Sequence, residues 1–180
     1  MKYLIASDLH GSLETCRALL EAFQREQADR LLFLGDLLYH GPRNDLPEAY
    51  APKGVIPLLN EMRDRILCVR GNCDTEVDQM VLEFPIMADY AILSLGESCV
   101  FVTHGHKFNE NNLPPLRQGD VLLHGHTHVP TWHVKDGIHI FNPGSVTIPK
   151  NGSARGYMTL ENGEFLWKTL AGELIQRVIL

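Results

Sequence analysis

The chain has 180 residues, 44% of them hydrophobic and 21% charged, with a formal net charge of −6; this suffices for one compact domain over residues 1–180 and is cramped for two. No segment approaches the roughly 20 consecutive apolar residues of a membrane-spanning helix, and an acidic chain without clustered Lys and Arg is poorly suited to gripping nucleic acid. The N-terminus reaches Asp8 and His10 too soon for a secretory leader, and Cys16, Cys68, Cys73 and Cys99 lie at no short paired spacing, so the expectation is a cytoplasmic protein with reduced thiols and no membrane partner.

In chain order, the apolar run 2–6 reads as a buried strand that stops at the polar turn 7–11. Ser12 is placed to cap a helix in which Leu13, Cys16, Leu19, Leu20 and Phe23 recur at three- and four-residue steps, ending near Gln27. A second buried run over 31–34, a helix over 55–63 and a third strand over 66–69 complete a β-α-β-α-β order, which calls for a parallel sheet with right-handed crossovers. Residues 41–52, with three prolines and scattered charge, form an irregular excursion that suits either a substrate-facing loop or a plain surface connection. From about residue 91 strands dominate, over 91–95, 99–103 and 120–123. Asp136-Gly137 and Asn162-Gly163 are hairpin turns, so 132–135 should pair antiparallel with 138–141, and 157–161 with 164–170. The prediction is a mixed α/β (α+β) fold, with two mixed sheets packed face to face and helices outside.

Polar residues interrupt the apolar strands at their ends: Asp8-Leu9-His10, Gly35-Asp36, Gly71-Asn72-Cys73-Asp74, Thr103-His104-Gly105-His106 and Gly125-His126-Thr127-His128. Carboxyl ends of strands are where open α/β sheets bind ligands, so these groups can meet although they are distant in sequence. Singly each has a plain explanation, Asp8 as a turn cap or Asn72 in a left-handed turn; jointly they point to metal. Their carboxylate, imidazole and amide donors suit Mn, Fe, Ni, Co or Zn better than a purely oxygen-seeking ion. Seven donors exceed one ion's needs, whereas two ions about 3.5 to 4 Å apart, sharing a bridging carboxylate, generate hydroxide at neutral pH and clamp a phosphoryl group.

These motifs, ordered over 8–128 and followed by Asn142-Pro143-Gly144-Ser145, resemble the binuclear metallophosphoesterases of the calcineurin-like superfamily. Within it the loop His40-Gly41-Pro42-Arg43-Asn44 and the block Arg70-Gly71-Asn72-Cys73-Asp74 are similar to the small bacterial YfcE-type phosphodiesterases. The resemblance implies a four-layer αββα sandwich and hydrolysis of a small phosphodiester by a metal-bridging hydroxide, usually with Mn²⁺. It further implies that Asp8, His10 and His128 hold one ion, Asn72, His104 and His126 the other, and that Asp36 bridges. Asp36, Asn72, Cys73 and His104 would then carry the reaction.

Many members of the superfamily have His directly after the Asn, placed to protonate the leaving oxygen, where this chain has Cys73. A thiol with an ordinary pKa near 8.5 is the poorer acid, which predicts a preference for good leaving groups unless Cys73 only packs. Arg43 and Asn44, with Cys73, are candidate substrate contacts, the guanidinium offering a fork to phosphate oxygens; a solvated loop charge is the alternative for Arg43. His106 is a candidate for orienting a ligand, His40 and His124 are either site-lining or structural, and His133 and His139 read as structural. A phosphomonoesterase or a nuclease of the same superfamily, or a non-catalytic scaffold like the small subunit of retromer, remain rivals. Self-association is suggested by the resemblance alone.

Overall fold

A computed structural model describes residues 1–180. Its first sheet grows from the three apolar runs: β1 (Tyr3–Ala6), β2 (Arg30–Phe33) and β3 (Ile66–Cys68) lie parallel, with Leu4 beside Leu31 and Leu32 beside Leu67. The crossover helices are α1 (Leu13–Arg25) and α2 (Pro52–Asn60). Ser12 caps α1 as expected, accepting the Thr15 N–H, and the helix stops two residues short of Gln27, which turns to φ 51°. The second helix begins and ends three residues earlier than the apolar spacing predicts. Pro52 opens it, at a position where its missing N–H costs nothing.

β4 (Tyr90–Leu95), β5 (Ser98–Thr103), β6 (Val121–Leu123), β7 (Thr131–Lys135) and β8 (Ile138–Asn142) make the second sheet, ordered β4-β5-β6-β8-β7. β9 (Gly156–Glu161) and β10 (Glu164–Thr169) then return to the first sheet beside β1. An unforeseen strand, β11 (Leu174–Ile179), completes the order β11-β10-β9-β1-β2-β3. Both sheets are mixed, and both hairpins form at their expected turns. Asp136-Gly137 (φ 52° and 79°) and Asn162-Gly163 (φ 49° and 82°) have the paired positive angles that twist flanking strands into register.

Ile5, Leu32, Val102, Leu123, Phe141 and Trp167 fill the space between the sheets. On the outer face of the first sheet, Leu19, Phe23, Val55 and Leu59 of the two helices share a core with Leu4 and Phe33. The outer face of the second sheet, with Phe101, Leu122 and Ile140, is covered by Phe108, Leu113 and Leu116. This fourth layer is irregular chain. Asn109, Asn111, Asn112 and the Pro114-Pro115 pair interrupt helix formation there. A third helix, α3 (Glu76–Gln79), is a single turn capped by Thr75. No helix is long and apolar enough to cross a membrane.

Candidate metal centre

Asp8 and His10 follow β1, Asp36 follows β2, Asn72 follows β3, His104 follows β5, and His126 and His128 follow β6. All five strands run parallel to a neighbour, so their carboxyl ends meet at one edge of the sandwich. The backbone there is contorted: Asp8, His10, Asp36, His126 and His128 have φ of 59°, 49°, 59°, 66° and 61°. Each left-handed non-glycine residue costs roughly 1–2 kcal/mol, so the surrounding fold must impose the arrangement. Neighbouring turns interlock tightly: a Cβ on Gly71 would lie 2.0 Å from Asp36 Oδ1. The Cys73 N–H donates to Asp36 Oδ1 at 2.8 Å, and the His126 N–H to Asp8 Oδ2 at 3.1 Å.

The structure brings all seven predicted donors together. Asp8 Oδ1 is 3.7 Å from His10 Nε2 and 3.3 Å from His128 Nε2, and the two imidazole nitrogens are 3.4 Å apart. On the other side, His104 Nε2 lies 3.1 Å from Asn72 Oδ1 and 3.2 Å from His126 Nδ1. Asp36 Oδ2 stands between the groups, 3.7 Å from His10 Nε2 and 3.4 Å from His104 Nε2.

Hydrogen bonding sets the tautomers. Nδ1 of His10 donates to the Tyr39 carbonyl at 2.8 Å, that of His104 to Leu34 at 2.6 Å and that of His128 to Ile148 at 2.7 Å. In the neutral ring each Nε2 is then a bare lone pair aimed into the site, the arrangement found in metal-ligating histidines. Lone pairs of His10 and His128 cannot satisfy one another across 3.4 Å; a cation between them can. Asp8 Oδ1 is buried without a hydrogen-bond partner, and Asp8 and Asp36 have no Lys or Arg beside them. Buried carboxylates in that state demand positive charge. Burial opposes ionisation of Asp8, but His10 and His128 outweigh it and hold its carboxyl well below the usual range. Burial likewise disfavours charge on His104, yet Asp36 and Asp8 push it up to about 9. His126 goes the other way, down to about 4, through burial and the charge of His104. The donor set, the orphaned oxygen and the excess negative charge fit two divalent cations.

A cleft of about 320 Å³ adjoins the cluster, lined by Asp36, Asn72, Cys73, His126 and His128 of the site and by Arg43 and Asn44 of the loop after β2. Arg43 is exposed and without an ion-pair partner, while Asn44 Nδ2 donates to the His40 carbonyl at 2.8 Å and braces its own loop. Cys73 is buried under this loop, and Asn72 Nδ2 donates to its sulfur at 3.2 Å. Burial and the Asp36 carboxylate push the thiol far up, so it keeps its proton at neutral pH.

Other predicted histidines fall outside the cluster. His106 was expected to orient a ligand; its Nδ1 is buried without a hydrogen-bond partner, and its ring packs against those of His104 and His126 at 5.4 and 6.2 Å, so contact replaces the hydrogen bond. His40 sits edge-on to Tyr39 and Tyr50, and His124 is buried against the Gly125 carbonyl. His133 pairs with Glu110, and His139 packs near Phe141. Sequence reasoning missed Lys150 in the cleft and, although it named them within motifs, assigned no role to Thr127 there or to three supporting residues. Asp74 ties two strand ends together, Asn142 bonds the Gly125 carbonyl and Thr127, and Ser145 Oγ donates to the Asp8 carbonyl.

Residues 1–164 match the calcineurin-like phosphoesterase superfamily domain, and the chain belongs to that superfamily. Over 162 residues it is 51% identical to phosphodiesterase YfcE of Escherichia coli K12, covering 90% of this chain and 88% of that one. A solved structure of the E. coli phosphoesterase YfcE superposes with a TM-score of 0.95 at 48% identity, over 99% of both chains. Vps29 of Entamoeba histolytica, at 20% identity and a TM-score of 0.63 over 100% of this chain and 99% of that one, shares the fold alone.

Proposed function

We propose that the protein is a metal-dependent phosphodiesterase acting in the cytoplasm on a small diester, with Mn²⁺ as its ion and Fe, Ni, Co or Zn compatible with the same donors. The observation that carries this reading is the position of Asp36 Oδ2 between the His10 and His104 nitrogens, at 3.7 and 3.4 Å. Asp8, His10 and His128 would hold one cation, Asn72, His104 and His126 the second, and Asp36 both. Cations bound there supply Lewis acidity and an activated water to phosphoryl transfer.

This chain's own groups complete the mechanism. Carbonyls of Tyr39, Leu34 and Ile148 hold three imidazoles in their ligating tautomer. Arg43 is free to meet a non-bridging phosphate oxygen through its fork. Cys73, with its proton retained, gives little help to the departing oxygen, so esters of acidic alcohols and phenols are favoured. Cys73 faces the Asp36 carboxylate but keeps its proton, so it offers no thiolate for a covalent route. The name of the 51%-identical relative supports a diester over a monoester, the net charge of −6 without clustered Lys and Arg speaks against a nucleic acid, and the complete donor set speaks against a non-catalytic scaffold.

The test is hydrolysis of bis(4-nitrophenyl) phosphate and 4-nitrophenyl phosphate by metal-stripped protein reloaded with each candidate cation. Diester turnover well above monoester turnover, with solvent ¹⁸O in the phosphate product, is expected. No diester turnover with any cation overturns the reading.

A further inference from the structure

The cleft beside the metal cluster is unusual in what it lacks. No Phe, Tyr, Trp or branched aliphatic side chain lines it, and Asp36 is its only acid. Its volume of about 320 Å³ is at the small end of the roughly 300–1,000 Å³ typical of ligand clefts. A lipid chain would find no apolar wall to lie against, and a nucleobase would find no Phe, Tyr or Trp to stack on.

Two cations are present instead. Arg43 comes from the loop after β2, and Lys150 from the turn between β8 and β9. In this chain of net charge −6, seven of the 16 Lys and Arg are ion-paired with an acid, Lys2, Lys107 and Lys168 among them with Glu26, Asp89 and Glu26. Lys150 has no carboxylate partner, and neither has Arg43.

Lys150 is also not placed at random. Its N–H donates to the His128 carbonyl at 3.1 Å, while His128 Nδ1 donates to the Ile148 carbonyl at 2.7 Å. Ser153 closes the turn from beyond, through its N–H at 3.0 Å and its hydroxyl at 2.7 Å to the Lys150 carbonyl. The backbone of Lys150 is thus fastened through its N–H to His128 and through its carbonyl to Ser153, which fixes the lysine's origin relative to the donor cluster.

From this we infer that the retained arm of the substrate is short and polar and ends in a second anionic group, a carboxylate or a phosphate, which Lys150 binds while Arg43 stays on the scissile phosphate. The inference rests on the phosphodiesterase reading. A diester phosphate carries a single negative charge, which the metal cluster and Arg43 already face; Lys150, a further unpartnered cation in the same cleft, has work to do only if the substrate brings more charge. Lys150 is here a specificity-determining residue, touching the arm that does not leave.

The experiment is a series of 4-nitrophenyl alkyl phosphates in which the alkyl arm ends in a methyl, a carboxylate, a phosphate monoester or a trimethylammonium group. All four release the same phenol, so only the arm varies. Wild type should show higher kcat/KM for the anionic arms than for the methyl arm, and lower for the ammonium arm. An exposed ion pair is worth up to about 1 kcal/mol, so Lys150→Ala should reduce the anionic-to-methyl ratio about fivefold, and Lys150→Glu should reverse it in favour of the ammonium arm. The preference should shrink as ionic strength rises. A wild-type ratio near one, or a ratio that Lys150→Ala and Lys150→Glu both leave unchanged, overturns the inference while turnover of the methyl-arm ester upholds the diesterase reading.

A binding measurement keeps the two separable should that ester not turn over. Calorimetric titration of metal-loaded wild type and Lys150→Glu with a methylphosphonate monoester, with and without a terminal carboxylate, reads the same preference without catalysis. Equal affinity for both phosphonates in wild type overturns the inference. Whether carboxylate or phosphate is the better arm identifies the source of the second charge.

Discussion

The carboxylate of Asp74 accepts the backbone N–H of Asp36 at 2.8 Å, and the same oxygen accepts that of Gly71 at 2.7 Å, while its second oxygen takes the Leu37 N–H at 2.9 Å. One buried side chain therefore sets the spacing between the end of β2, which carries Asp36, and the end of β3, which carries Asn72. Asp74→Ala would strand three N–H donors away from water, at about 1–3 kcal/mol each. Loss of outer partners of this kind typically weakens metal binding about 10- to 100-fold. Urea unfolding and equilibrium dialysis with Mn²⁺ check both effects; unchanged Mn²⁺ affinity in a folded Asp74→Ala protein would mean that Asp74 does not position the site.

Metal removal should cost stability as well as activity. Ions bound only by the folded chain stabilise it by about 2.7 kcal/mol per site at a hundred times the dissociation constant. For a chain of this size that is a rise in Tm of about 5 to 10 °C per site. Asp36→Asn, which weakens both groups of donors at once, should abolish most of the rise and lower kcat more than about a hundredfold, beyond what loss of an outer partner causes. Differential scanning calorimetry with EDTA or Mn²⁺ measures this, and superimposable traces for the wild type would count against a metal centre.

Exchange of Cys73 tests the leaving-group argument. In Cys73→His an imidazole of ordinary pKa stands where a thiol keeps its proton, and general acid catalysis is worth about 10² to 10⁴-fold. The gain should be greatest for the least acidic leaving alcohols, so the dependence of log kcat/KM on leaving-group pKa becomes shallower. Equal slopes in the two proteins would show that Cys73 only packs.

Glu26 provides the pH prediction. Its carboxylate accepts from Tyr157 Oη at 2.7 Å, from Lys168 Nζ at 2.7 Å and from Lys2 Nζ at 3.0 Å, joining α1 to β9, β10 and the start of β1. Burial resists its ionisation, but Lys168, Tyr157 and Lys2 outweigh it and bring the pKa from 4.5 down to about 2. With the folded value below the unfolded one, the contribution is complete above about pH 4.5 and disappears as pH falls towards 2. Glu26→Gln should be less stable than wild type by about 2 kcal/mol at pH 7, the worth of a charged hydrogen bond. Urea midpoints of the two proteins should converge between pH 4.5 and pH 2; a constant gap across that window would refute the assignment.

Much of this architecture is legible in the chain because each site-bearing strand is a short apolar run broken by residues whose chemistry does not suit a strand. Asp8, Asp36, Asn72, His104 and His126 announce themselves by that interruption, and Asp136-Gly137 and Asn162-Gly163 by the turn they require. Asp74 lies in view beside Asn72, yet its task depends on N–H groups from another strand end that only the tertiary fold delivers. Lys150 stands in a Lys-Asn-Gly-Ser turn of ordinary surface composition, 22 positions after His128, and nothing local tells that the two are hydrogen-bonded. β11 escapes notice because its alternation is weak, with Leu174, Ile175 and Ile179 all exposed on an edge strand, and the preceding turn lacks the Asn-Gly pair. The fourth layer is irregular for a reason the Pro114-Pro115 pair makes plain, although no motif describes such a cover.

The donor cluster is not the property of either sheet: Asp8, Asp36 and Asn72 hang from one, His104, His126 and His128 from the other. Ions seated between them would act as a clasp across the sandwich. Starving the protein of divalent ions would then shorten its survival against proteases as well as silence it, because the apolar core between the sheets would be left to hold the two halves alone.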